Sequence, residues 1–175
     1  MGKAINMNLS VSSMNDALKE IEKYKNELIL KTAVFVGRLA DVGLETIDRH
    51  KYDGGAQGDS DFGGAQAYVR LGGKGTTAIA TLVFQGKDVA FIEFGAGIHY
   101  NGAGGSSPNP LGAPLGMVIG SYGKGLGLND SWRYRDKIDG TWQVSHGTKA
   151  AMPMYHADQA IIDQFISIAK EVFGA

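Results

Sequence analysis

The chain has no cysteine. Disulfides, thiolate nucleophiles and cysteine-ligated metals are therefore excluded, and the absence suits a reducing compartment. Net charge is nearly missing as well: 17 Lys and Arg stand against 18 Asp and Glu, giving −1. That balance carries no electrostatic footprint for sequence-specific nucleic-acid binding or for an anionic membrane. No apolar run approaches the roughly 20 residues that span a bilayer. Met1 to Val11 has one Lys and alternating polar residues, not the continuous apolar core of a signal peptide. These absences lead us to expect a soluble protein, made in the cytoplasm, with no membrane partner. Proline is scarce, and none falls between Met14 and His50.

Glycine is what the chain has in excess: 26 residues, 22 of them between Gly54 and Gly147. A length of 175 residues fits one domain over 1–175, large enough to bury an ordinary core. Ile5, Met7, Leu9 and Val11 alternate with polar residues, the period of a half-buried strand. Ser12 or Ser13 then offers an N-cap. Leu18, Ile21, Leu28, Phe35, Leu39, Val42 and Ile47 recur near helical spacing, so Met14 to His50 reads as one long helix or two abutting ones. Gly37 and Gly43 are its soft points. Gln66 to Leu71 and Thr76 to Gln85 read as strands around a glycine turn. Asp88 to Phe94 reads as a short helix. Trp132 to Asp136 and Thr141 to Ser145 form a hairpin turning at Asp139-Gly140. Pro153 suits the first turn of a last helix, which Gly174 ends. The pattern predicts an α+β fold: a small antiparallel sheet packed against a long N-terminal and a C-terminal helix, with a Gly-rich loop at about 95–127.

The familiar chemistries fail one by one. Gly95-Ala96-Gly97 is followed by Ile98-His99-Tyr100, a poor start for the helix that a dinucleotide loop requires. Gly72-Gly73-Lys74-Gly75 lacks the first glycine of a phosphate loop. His50, His99, His146 and His156 show no metal-ligand spacing. Ser106-Ser107 lacks a nucleophile elbow's strand–turn–helix context. No cofactor and no metal are expected. Between Val89 and Gly123 the one formally charged side chain is Glu93. It is a candidate acid, but without a partner carboxylate a bond to backbone amides of the nearby glycine turn, or to an Arg of another subunit, fits better. Trp132, Tyr134 and Trp142 beside Arg133 and Arg135 suit cross-strand packing or a protein interface. A neutral glycine-rich loop can lie against a neighbour without desolvating ions.

Two motifs bracket that loop. The first is Phe91-Ile92-Glu93-Phe94-Gly95-Ala96-Gly97. The second is Gly147-Thr148-Lys149-Ala150-Ala151-Met152-Pro153-Met154-Tyr155, and Trp132-Arg133-Tyr134 lies between them. This ordered set, spanning about Leu18 to Phe173, resembles the tail-completion (minor tail, neck) family of long-tailed bacteriophages. That family has a Val-Glu-Phe-Gly-Thr-Gly-like motif, a variable glycine-rich insertion and a Gly-x-x-Ala-x-Pro-Phe-Met-like motif opening the last helix. Ala96 departs from the usual Thr, and Met154-Tyr155 from the Phe-Met-like pair. The resemblance implies a structural, non-enzymatic virion protein acting in head–tail joining. It implies a homo-oligomeric ring, six-fold to match the tail, between head connector or head-completion proteins and the tail tube or tail terminator, with the genome passing through. Assembly candidates are then Glu93, Gly95, Gly97, His99, Tyr100, Trp132, Tyr134, Trp142 and His146. Two alternatives remain: a small hydrolase of cell wall or nucleic acid using Glu93 and His99, and a module binding a peptide or sugar through Trp132 and Trp142.

Overall fold

A computed structural model describes residues 5, 8, 10–53, 65–86, 89–95, 107–115, 131–136, 139–145 and 147–174. The first element is α1, Val11–His50, a single helix of 40 residues and about 60 Å. It is unbroken because nothing in it stops a helix. Gly37 and Gly43 are tolerated inside it, so the two-helix alternative is not realised. Its start differs from the expected one. Ser10 is the N-cap, with φ −84° and ψ 147°, and its Oγ accepts from Ser13 N at 3.2 Å. Asn8 Oδ1 in turn accepts from Ser10 N and Ser10 Oγ at 3.0 and 2.7 Å. The strand expected over Ile5 to Val11 is therefore corrected at its end, where Val11 is helical.

The expected α+β fold is present, its antiparallel strands divided between two hairpins among the described residues. β1 (Gln66–Gly72) pairs antiparallel with β2 (Ile79–Gln85), in a register running from Gln66↔Gln85 to Gly72↔Ile79. Thr77 N donates to Lys74 O at 3.2 Å, which keeps Thr76 to Ala78 in the turn and starts β2 later than the sequence suggests. After β2 comes α2, Val89–Phe94. Then β3 (Trp132–Arg135) and β4 (Trp142–Ser145) form a separate antiparallel pair. The last element is α3, Pro153–Phe173, with Pro at its start and Gly174 as its left-handed C-cap.

α3 runs antiparallel along the second half of α1. Phe35 packs edge-on against Phe165 and tilted against Phe173, with ring centroids 5.1 and 5.6 Å apart. Further along, Gly43 faces Ile161, and His50 meets His156 at the other end. The β1–β2 hairpin lies on the same stretch of α1. A Cβ on Gly43 would stand 2.9 Å from Ile161 Cδ1 and closer still to Leu82 Cδ1. That glycine is where helix, helix and hairpin come closest. Ile47, Ala40, Ala157 and Ile168 are buried here. A second cluster joins Ala65, Ile92 and Ala151, flanked by the half-buried Phe84 and Val89. α2 is thus held between hairpin and α3. No helix among the described residues is long and apolar enough to cross a membrane.

Candidate functional site

The two motifs meet at Glu93. Its side chain is buried, 7% exposed, although it stands on a six-residue helix. Glu93 Oε2 accepts from Met154 N at 2.8 Å, and Oε1 accepts from Tyr155 N at 3.0 Å. Oε1 also accepts from Asn109 Nδ2 at 2.7 Å. Met154 and Tyr155 are the second and third residues of α3. Their amides are the ones an N-cap side chain ordinarily satisfies. The N-cap residue itself, Met152, makes no side-chain capping bond, because a thioether is a poor acceptor. Glu93 supplies the cap from 61 positions away, and its negative charge lies at the positive end of the helix dipole.

The backbone beside this cap is constrained. Met152 sits in the left-handed region at φ 54°, the one such non-glycine residue described. Ala151 N and Met152 N both donate to Ile92 O, at 2.8 and 3.4 Å, and His156 N donates to Met152 O at 2.9 Å. Conformations of this kind cost on the order of 1–3 kcal/mol and persist where neighbours fix them. Here α2 fixes them. The exit from α2 is Gly95, at φ 74°, whose N–H closes onto Phe91 O at 2.8 Å. That left-handed turn is why glycine follows Phe94.

The part of the Gly-rich loop that is described, 107–115, folds back onto the same junction. Ser107 Oγ donates to Phe94 O at 2.6 Å and accepts from Asn109 N at 3.2 Å. Asn109 is 2% exposed. Its Oδ1 accepts from Leu111 N at 2.9 Å while its amide holds Glu93. Burial pushes the Glu93 carboxyl above its ordinary 4.5; the two α3 amides, the Asn109 amide and the charge of the neighbouring His156 pull the other way and are outweighed. Nearby, the His50 and His156 rings are 4.6 Å apart, and His50 Nδ1 bonds Asp53 Oδ2 at 2.5 Å.

This geometry restates the candidate residues. Glu93 bonds backbone amides, but those of α3 rather than those of the adjacent glycine turn, and all three donors lie within the chain. Gly95 is the α2 C-terminal turn. Gly97, His99, Tyr100 and His146 lie outside the described residues. On the β3–β4 hairpin, Tyr134 faces Gln143 and Arg135 faces Trp142 across the pair. Trp132 stands opposite Ser145. Cross-strand neighbours share a face, so Arg133, Arg135, Trp142 and Val144 lie on one side. Trp142 is 70% exposed, so the hairpin does not bury it. Arg135 Nε donates to Gly140 O at 2.9 Å and braces the turn.

Sequence reasoning weighed Ser107 only as a nucleophile and Met152 only as part of a motif, and it missed Asn109 and the pairing of His50 with His156. Asn109-Pro110 was a readable turn signal; the histidine pair, 106 positions apart, left none. Among the described residues no group of three or more His, Asp or Glu could hold a metal. A cleft of about 170 Å³ between α1 and the β1–β2 turn is lined by Ile29, Ala33 and residues 72–78, smaller than ordinary ligand pockets of roughly 300 Å³ and above. No protein-family model, curated protein or solved structure matches the chain.

Proposed function

We propose that this chain is a structural subunit of the neck of a long-tailed bacteriophage. In this reading it acts in tail completion and head–tail joining, as a homo-oligomeric ring of six copies. The ring stands between the head connector or head-completion proteins and the tail tube or tail terminator. The chain is not an enzyme in this reading, and its place is the virion.

The observation that carries the proposal is the Glu93 junction. The two motifs that bear the resemblance are locked to one another: Glu93 of the first caps the helix opened by the second. Residues of such motifs serve architecture when their polar groups are fully engaged within the fold, and Glu93 is so engaged. A general acid needs its carboxyl at a cleft within reach of substrate. Glu93 instead faces two helix amides and a buried Asn amide, which supports the structural reading over a hydrolase built on Glu93 and His99.

The test is made in the phage that encodes the chain. The protein is expected in purified complete particles at a constant ring-sized copy number. Particles assembled without it should accumulate as separate heads and tails in negative-stain images. Its absence from complete particles, or normal joining without it, overturns the proposal.

A further inference from the structure

α3 covers α1 from His50 back to Phe35 and stops there. Toward the N-terminus the same side of α1 continues uncovered by α3; among the described residues the β1–β2 turn reaches it only on the flank, at Ile29 and Ala33. Met14, Leu18, Ile21 and Leu28 follow one another at spacings of four, three and seven, the a/d repeat of a coiled-coil seam, and Phe35 continues that repeat. They are 46, 58, 51 and 43% exposed; Val11, three before Met14 on the same seam, and Tyr24 on its flank are 76 and 53% exposed. Of the large apolar side chains exposed on this segment these six share one side, while Leu30 and Val34 point elsewhere on the helix.

We infer that this overhang pairs with the overhang of a second copy of the chain, antiparallel, as a two-helix coiled coil. Three features favour that occupant. The first is fit. α3 runs antiparallel to α1 and leaves the line beyond Phe35 open, and a second copy's overhang, also antiparallel, has the length to fill it. The second is area. At the stated exposures each side chain offers about 100 Å², so a pair removes roughly 1,200 Å² from water, the lower bound of a stable specific interface. The third is charge. Lys25 occupies the seam position between Ile21 and Leu28. A parallel pair sets Lys25 against Lys25. An antiparallel pair sets Leu18 against Leu28, Met14 against Thr32 and the Lys25 stem against Ile21, with the ammonium beside Glu22 of the second copy.

The pair is isologous and closes on itself, unlike the head-to-tail contacts of a ring. It does not depend on the neck reading. A dimer with no role in a virion satisfies it, and a neck subunit that is monomeric when free refutes it.

Sedimentation equilibrium on the whole purified chain at roughly 10–100 μM, above the micromolar upper end of dissociation constants for specific interfaces, tests it. The expected mass includes a dimer. Leu18→Asp and Ile21→Asp, both at exposed positions, should each give a folded monomer whose melting temperature no longer depends on protein concentration. A wild-type monomer, or a dimer that survives both substitutions, overturns the inference. Orientation is read with introduced cysteines, the chain having none of its own. Leu18→Cys mixed with Leu28→Cys should give the mixed disulfide under mild oxidation. Predominant Leu18→Cys homodimers would overturn the antiparallel arrangement.

Discussion

Replacing Glu93 by Ala removes one acceptor group from three donors at once. Met154 N and Tyr155 N lose their cap, and no other side chain caps α3. Loss of an N-cap costs about 0.5–2 kcal/mol. Asn109, 2% exposed, is left with a buried amide donor that cannot reach water, which costs about 1–3 kcal/mol more. Relief of the desolvated carboxylate offsets part of this, so Glu93→Ala should destabilise by about 1–4 kcal/mol. For a chain of this size that lowers Tm by roughly 2–16 °C. Urea unfolding followed by far-ultraviolet circular dichroism gives the free energy. Hydrogen exchange locates it: the Met154 and Tyr155 amides should lose protection while amides in the middle of α1 keep theirs. A loss below about 0.5 kcal/mol, with those two amides still protected, would refute the capping role; that threshold is the smallest effect expected of a real cap.

Two glycines of α1 should respond in opposite directions. A Cβ on Gly37 meets nothing within 4 Å, so Gly37→Ala should stabilise by about 0.5–1 kcal/mol through helix propensity. A Cβ on Gly43 meets Leu82 and Ile161, so Gly43→Ala should destabilise by about 1–2 kcal/mol despite the same propensity gain; equal shifts in thermal unfolding would refute the close packing. The pH dependence follows from Glu93, whose native pKa is raised above 4.5 by burial. Such a group contributes stability that is fully present below the unfolded-state pKa and is lost as pH rises through the raised native value. The unfolding free energy of the wild type minus that of Glu93→Gln should therefore fall from pH 4.5 toward neutrality, a window set by the ordinary carboxyl pKa and the upward shift; a difference that rises with pH would contradict the burial.

Where local chemistry decides structure, the sequence was readable. α1 follows from an apolar stripe at helical spacing with no proline to interrupt it. α3 follows from Pro153 at its start and Gly174 beyond its end. The hairpin β3–β4 follows from Asp139-Gly140, where Asp139 Oδ1 accepts from Thr141 N and Oγ1 at 2.9 and 2.7 Å. What was not readable depends on distant partners. Alternation from Ile5 to Val11 argued for a strand; at its end the helix propagates back to the next available cap, Ser10, and takes in Val11, while Asn6, Met7 and Leu9 lie outside the described residues. The bland appearance of Met152 conceals a left-handed residue, because its φ is fixed by Ile92 O and not by its own side chain. Glu93 stood out as a lone charge, but its partners are 16, 61 and 62 positions away.

The junction also limits which surfaces are left for partners. A neutral loop of glycines looks from the sequence like a free arm. Yet its 107–115 stretch is fastened to α2 through Ser107 and to Glu93 through Asn109, with Gly112 N donating to Asn109 O at 2.8 Å. Freeing this stretch for a neighbour would break the bond that satisfies Glu93, and so weaken the start of α3. Contact surfaces that cost nothing to the fold lie elsewhere among the described residues. They include the α1 overhang and the Trp142 face of the β3–β4 hairpin, where large apolar side chains already face water. Covering them removes apolar surface without disturbing an internal hydrogen bond. Association through these faces is thus compatible with an intact junction, whereas association that pulls Ser107 and Asn109 away from α2 competes with it. Variants that loosen Glu93 should therefore alter the stability of α3 and leave pairing through α1 unchanged.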